Sequence, residues 1–464
     1  MKYISTRGGV ARATFEEVVM EGMARDNGLF LPEEFLDVRH FFSEWKKITY
    51  EELALAIMRL FVDIPPAVLK KIIKNSLVHF THPDICPVRK VGELFILELF
   101  YGPTLAFKDI ALQFLARLFE YFLEKNETIM NIVVATSGDT GGAAVEAMRG
   151  IRGIRLFVLY PYGRISPDQE RQMTTASEEN INCIAIEGSF DDCQAIVKNL
   201  FADMEFRDRF KLGAVNSINF ARLLAQAVYY FYAGFKAMRL LNKNSCIFSV
   251  PTGNFGDIFA GYMAKMMGLP VEKLVLATNE NDILDKFFKT GVYEKGQVHQ
   301  TMSPSMDIQI ASNFERYLFL KMEKNGAKVA ELMRRFAEAG SIKIDIPQNS
   351  VVDDCIVSEK CTENECLEMM AYFYKKYGYV LDPHTAVGVK GAMKYQNSEF
   401  PVIALATAHP AKFRDAVRKA LGDGAVVTHP ILENLRFKTQ RRVVLPAELD
   451  VVRNLIKERA GGRT

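Results

Sequence analysis

The 464-residue sequence predicts an α/β fold, with two doubly wound units behind a mainly helical N-terminal region. From residue 91 onward, short apolar runs rich in Val and Ile alternate with helical stretches: "ELFILELF", "NIVVATS", "IRLFVLYP", "INCIAIEG", "NSCIFSVPT", "EKLVLATN" and "FPVIALAT". Runs of that length and composition make strands of parallel sheets covered by helices on both faces. Before residue 91 the pattern is helical, as in "ITYEELALAIMRLFV" and "PPAVLKKIIKNSLVHF", with a Pro and Gly interruption at "RDNGLFLPEEF".

Residues 1–90 read as an accessory region. The run "ELFILELF" then leads through "YGPTLAFKDI" into "DIALQFLARLFEYFLEK". Apolar residues at Ile110, Leu112, Phe114, Leu115, Leu118, Phe119 and Phe122 predict a largely buried helix there. Lys108 falls in its first turn, where the helix dipole disfavours an ammonium by about 0.3 to 1 kcal/mol and lowers its pKa. Read in isolation, such a lysine belongs on the surface with its stem over apolar neighbours. The long helix "NFARLLAQAVYYFYAGFKAMRLL", residues 219–241, divides the α/β part into units 91–240 and 241–464. The tail "LPAELDVVRNLIKERAGGRT" reads as a short helix fraying into Gly and Arg.

With 49% hydrophobic residues the chain can bury large cores. The 58 Lys+Arg nearly balance 56 Asp+Glu, and no basic stripe suggests nucleic acid, so the expected partner is a small molecule. Seven scattered cysteines without a C-x-x-C pair suggest neither a disulfide framework nor a zinc site, and fit a reducing compartment. No H-E-x-x-H or comparable pattern points to a metal. The N-terminus "MKYISTRGGVARATFEE" lacks the apolar core of a signal peptide, and Glu16 and Glu17 argue against a transit sequence. No apolar run reaches the roughly 18 residues of a membrane span. A soluble, cytoplasmic protein is expected.

Three strand-to-helix turns have unusual composition, and such turns point free helix N–H groups at anions. In "NIVVATSGDTGGAAVEAM", Ser137 to Gly142 could cradle a carboxylate or phosphate, or Ser137 or Asp139 could simply cap the helix. In "CIFSVPTGNFGDIFAGYMAKMMG", Gly253 to Gly256 let backbone donors approach a phosphate without Cβ clashes. Neither turn is G-x-G-x-x-G or a P-loop, which weakens a dinucleotide or NTP reading. In "FPVIALATAHPAKFRDAV", Thr407 ends a strand and Pro410 suits the first turn of the next helix. His409, like His384 in "LDPHTAVGV", reads as structural, with Asp382 and Pro383 forming a cap and N1 pair. A lysine at a helix start, a phosphate cradle, a carboxylate loop and a strand-end hydroxyl are together the set that a pyridoxal phosphate enzyme needs.

The ordered segments "GPTLAFKD", "ATSGDTG", "PTGNFGD" and "ATAHPAKF", preceded by "YISTRG" and "GLFLPE", resemble threonine synthases of the longer bacterial and fungal type, within the tryptophan synthase β-like group of pyridoxal phosphate enzymes. The resemblance runs to about residue 413. It implies the fold of that group, pyridoxal 5'-phosphate as cofactor, and conversion of O-phospho-L-homoserine and water to L-threonine and phosphate. Lys108 matches the Schiff-base lysine, which also moves protons between substrate carbons. Gly253, Asn254, Phe255, Gly256 and Asp257 match the cofactor-phosphate loop, with Asp257 orienting the loop or its helix. Thr407 matches the residue facing the pyridine nitrogen, and Ser137, Gly138, Asp139, Thr140 and Gly141 match the substrate-carboxylate loop. Many relatives in the wider group carry Asn where this chain has Asp139, beside the cofactor's phenolic oxygen. A proton is shared there, or Asp139 points elsewhere.

For the substrate phosphate, "YGRISPDQERQ" and "NSINFARLL" offer Arg164, Ser166, Asn219 and Arg222, since arginine grips oxyanions bidentately. Two alternatives stay open: a threonine synthase-like phospholyase releasing 2-oxobutanoate, ammonia and phosphate, and a non-catalytic module that binds a phosphorylated amino acid. Neither nucleic acid nor membrane is an expected partner, and the oligomeric state is not read from the sequence.

Overall fold

All seven apolar runs form strands, because branched apolar residues fit a pleated layer buried on both faces. The structure is a computed structural model that describes residues 1–344 and 352–460. Two sheets result. The larger runs, edge to edge, Ile356–Lys360, Val271–Thr278, Cys246–Pro251, Val402–Ala406, Leu94–Glu98 and Val88–Val91, parallel except for the last pair. The smaller runs Val443–Pro446, Ile181–Glu187, Ile154–Pro161, Met130–Ala135 and Leu212–Gly213, all parallel. The four strands of these two sheets with no apolar run in the sequence, Val88–Val91, Leu212–Gly213, Ile356–Lys360 and Val443–Pro446, are the four sheet edges. Three of them are partly exposed and the fourth is two residues long, so no continuous apolar signal marks them.

The sheets do not follow the divide at residue 240. Val88–Val91 and Leu94–Glu98 join the sheet built mainly from residues 246–406, while Val443–Pro446 returns to the sheet of residues 130–213. An open sheet edge accepts any strand that presents matching N–H and C=O rows, whatever its place in the chain. The long helix forms as expected over Phe220–Leu241, capped by Asn219, and packs against the helices Lys108–Lys125 and Gly256–Met266. Gly261 allows that approach, since a Cβ there would meet the Tyr230 ring at 2.6 Å. The tail helix spans Leu449–Ala460, and the Gly and Arg beyond it lie outside the described residues. All seven cysteines are buried free thiols. Among the described residues no helix is long and apolar enough to cross a membrane.

The N-terminal segment is clamped by the helix Phe314–Lys321. Thr6 Oγ1 donates to Glu315 Oε1 at 2.6 Å and accepts the Leu29 N–H at 2.7 Å, while Arg7 reaches both Glu315 oxygens at 3.1 and 3.0 Å. Arg316 is fully buried and donates to Phe30 O, Ile218 O and Asn313 Oδ1. Burial lowers its pKa to about 9. Thr6→Val keeps the side-chain shape but leaves a buried N–H and a carboxylate oxygen short of partners. The expected loss of stability is about 2 to 3 kcal/mol in urea unfolding; a loss below about 0.5 kcal/mol would show that these bonds contribute nothing.

Candidate active site

Lys108 opens its helix from a turn locked by Asp109. The buried Asp109 carboxylate accepts Thr104 N–H at 2.8 Å and Thr104 Oγ1 at 2.6 Å, and burial pushes its pKa up to about 6. Gly102 leaves room for it, because a Cβ there would sit 2.4 Å from Asp109 Oδ2. The turn is stitched to the end of the strand Val402–Ala406 by Phe107 N–H to Thr407 O at 2.8 Å and His409 N–H to Leu105 O at 3.0 Å. Lys108 is consequently buried, contrary to its reading in isolation, and only 9% exposed. Burial pushes its pKa down, opposed by Asp139 and reinforced by the nearby cations Lys412 and Arg222.

The segment "TSGDTG" turns on Thr136, whose Oγ1 accepts the N–H groups of Gly138 at 3.0 Å and Gly141 at 2.9 Å. Neither Ser137 nor Asp139 caps the helix Asp139–Met148. Ser137 is exposed, and Gly138 holds the N-cap position at a φ of 140° that a side chain would strain. A Cβ on Gly138 would also meet the Gln169 side chain at 2.6 Å, and one on Gly141 would meet Thr136 at 2.4 Å. Thr140 is half-buried beside them.

Asp139 turns inward and accepts from three donors. Its Oδ1 accepts from Lys412 Nζ at 2.9 Å and Gln169 Nε2 at 3.0 Å, and its Oδ2 from Ser305 Oγ at 3.2 Å. Lys108 Nζ lies 3.8 Å from Oδ2 and 3.4 Å from Ser305 Oγ. Burial works against the charge, but Lys412 and Lys108 hold the carboxyl well below the usual range. Ser305 is fixed in turn: its N–H donates to His384 Nε2 at 3.2 Å, and His384 Nδ1 meets Asp382 Oδ1 at 2.9 Å. With Nε2 an acceptor, Nδ1 carries the proton. Asp382 also caps the helix that Pro383 begins, as the sequence predicts.

The "GNFGD" loop borders the same place. A Cβ on Gly253 would approach the Ser305 carbonyl at 2.9 Å. The Asn254 carbonyl accepts from Asn313 N and Nδ2, both at 3.1 Å. Phe255 takes a φ of 62° and buries its ring against Phe288, Phe314 and Tyr317, so its side chain is core. Gly256 and Asp257 begin a helix whose first-turn amides have no intrahelical acceptor. The Asp257 carboxyl points away from the loop to the Tyr229 and Tyr230 hydroxyls, and burial pushes its pKa up to about 6.

The four residues proposed for a substrate phosphate separate. Arg164 is exposed. Ser166 caps the helix Pro167–Thr174 and bonds to Gln169, and Asn219 uses its amide on Ala221 N–H and Val19 O. Arg222 is buried, donates to Val215 O at 3.3 Å and leaves Nε without any partner. Among the described residues no carboxylate pairs with it, and burial lowers its pKa to about 10. A buried cation without a counter-ion marks a place for an anion. An open cleft of about 570 Å³ lined by Arg7, Lys295, Met333 and Phe336 contains none of these residues.

Comparison with known proteins gives the family. Residues 2–77 match the family model described as threonine synthase N terminus, 86–346 that of pyridoxal-phosphate dependent enzymes, and 385–456 that of threonine synthase, C-terminal. The sequence is 45% identical to a threonine synthase of Pseudomonas aeruginosa, covering 99% of this chain and 98% of that one. The chain belongs to the threonine synthase family. A threonine synthase of Saccharomyces cerevisiae is 42% identical, over 98% of this chain and 97% of its own. The solved structure of a PLP-bound threonine synthase from Brucella melitensis superposes with a TM-score of 0.94 at 43% identity, covering 99% of both chains.

Pyridoxal phosphate is the cofactor of this family, and the site fits it with a buried amine and a glycine cradle. Sequence reasoning missed Lys412, Ser305, Gln169 and Thr136. Lys412 had a signal, as the only charge inside "ATAHPAKF"; Ser305 in "MSPSMDIQ" had none beyond a turn-like composition. Gly253→Ala places a methyl against the Ser305 carbonyl at the cradle. Cofactor affinity should fall at least about tenfold with little change in melting temperature; equal affinity for variant and parent would remove the loop from the site.

Proposed function

We propose that this threonine synthase family member converts O-phospho-L-homoserine and water to L-threonine and phosphate at the Lys108 site. The observation that carries the reading is the juxtaposition of a buried amine, Lys108, with a buried and unpaired cation, Arg222. Lys108 holds the cofactor and, once released as a free amine, takes and returns protons at the substrate carbons. Pyridoxal phosphate, when bound, supplies the electron sink that makes those protons removable.

The other tasks follow from position. The first-turn amides of Gly256 and Asp257, with Gly253 and Asn254 before them, serve the cofactor phosphate, and the Asp257 carboxylate anchors their helix through two tyrosines. Thr407, buried at the end of its strand, would offer the ring nitrogen a hydroxyl, a hydrogen bond without a negative charge. Ser137 and the amides of Asp139 and Thr140 border the place for the substrate carboxylate, since those of Gly138 and Gly141 are taken by Thr136 Oγ1. Arg222 takes the substrate phosphate, whose departure from Cγ precedes water addition at Cβ. Arg164, Ser166 and Asn219 are left with surface or capping roles. Buried free thiols throughout the chain support a reducing, cytoplasmic setting.

The test is incubation of the cofactor-loaded protein with O-phosphohomoserine and identification of all products. Threonine and phosphate in equal amounts are expected. Release of 2-oxobutanoate and ammonia would assign the phospholyase activity, and no turnover, with no colour on adding cofactor, would leave a binding module. Borohydride should fix the cofactor on the peptide containing Lys108. Arg222→Met should raise KM for O-phosphohomoserine about tenfold or more, while the free protein keeps or gains stability through loss of an unpaired buried charge. An unchanged KM would take Arg222 out of the substrate site.

A further inference from the structure

Lys412 is a second lysine sealed in the site, with its side chain 1% exposed and no role in the reading above. Its Nζ makes two contacts, to Asp139 Oδ1 at 2.9 Å and to Thr104 O at 2.8 Å. Thr104 is the residue that Asp109 holds in the turn before Lys108. Lys412 therefore touches both the turn that presents Lys108 and the carboxylate nearest to Lys108. Asp139 already accepts from Lys412, Gln169 and Ser305 at 2.9 to 3.2 Å, whereas Lys108 stands off at 3.8 Å.

That ordering matters chemically. An amine attacks a carbonyl or removes a proton only when neutral, and a buried carboxylate with no other cation would keep its neighbouring lysine protonated. We propose that Lys412 is a positioning residue that serves as the counter-ion of Asp139 and thereby leaves Lys108 a free amine. The inference rests on Lys108 being the cofactor-bearing lysine. The charged groups facing Lys108 are Asp139, Lys412, Arg222 and, on its own helix, Asp109, with His384 facing Asp139. Of these, Lys412 and Arg222 repel a charge on Lys108. Only Lys412 also occupies Asp139.

The sign of each substitution follows. Lys412→Met removes a repelling cation and frees Asp139 to pair with Lys108, so the amine becomes harder to deprotonate. Asp139→Asn leaves Lys412 uncompensated beside Lys108 and does the opposite. The double variant removes both charges and should fall between the two singles.

The experiment uses the full-length chain freed of cofactor, mixed with pyridoxal phosphate across a pH series, with the rate of Schiff-base absorbance growth as the readout. The midpoint should rise by about one pH unit in Lys412→Met and fall in Asp139→Asn. At a fixed pH below the midpoint, attachment in Lys412→Met should be about tenfold slower. A midpoint that is unchanged or lower in Lys412→Met overturns the inference. Should that variant not fold, an unchanged or raised midpoint in Asp139→Asn overturns it equally. Borohydride reduction and peptide mapping of the same samples separate the two levels. A label away from Lys108 overturns the functional reading, and a label on Lys108 with an unshifted midpoint overturns this inference alone.

Discussion

A carboxylate buried where two sheets meet has to be supplied with donors, and Asp139 draws them from three other parts of the chain. Lys412 comes from the turn after the strand Val402–Ala406, Ser305 from the single turn Pro304–Met306 that follows the short strand Val292–Glu294, and Gln169 from the helix after the strand Ile154–Pro161. Removing a carboxylate from water costs several kcal/mol in a protein interior, so a partly satisfied Asp139 would not stay in place. The same bonds that make its burial tolerable bring the strand ends of both sheets to one point. Lys108 is a further cation at that point, its Nζ 3.8 Å from the carboxylate oxygen that Ser305 also reaches.

Around this point lies a chain of buried polar contacts that reaches the N-terminal region. Phe30 O and Ile218 O hold Arg316, Arg316 holds Asn313, and Asn313 holds the Asn254 carbonyl of the glycine cradle. Phe255 anchors the cradle from its other side through an aromatic cluster, which keeps a non-glycine residue at a positive φ despite a cost of about 1 kcal/mol or more. The segments "YISTRG" and "GLFLPE" thus have a physical use far from any reacting atom. They finish the support of the glycine loop proposed for the cofactor phosphate, more than 200 residues later in the chain.

Residue type alone did not distinguish a ligand from a cap. Asn219 and Arg222 share one helical turn and both look suited to an oxyanion, yet Asn219 has its amide oxygen on Ala221 and its nitrogen on Val19, while Arg222 keeps a buried N–H with no acceptor. Ser166 is likewise taken up by the helix it starts. The distinction depends on what surrounds each side chain at hydrogen-bond distance, and nearly all of those atoms belong to residues remote in sequence.

The sequence by itself determined the α/β class, the seven central strands, the buried lysine helix and the three turns from which the site is assembled, because apolar periodicity and glycine-rich strand ends are local signals. It also carried the family, through four ordered segments. Tertiary structure alone decided which strands share a sheet, that edge strands cross the divide at residue 240, and that Asp139 faces Lys412, Gln169 and Ser305 instead of an open pocket. The physical reason is the same in each case: edge pairing and the compensation of buried charge are satisfied by whatever donor or acceptor the folded chain brings close, and that proximity has no local trace in the order of the residues.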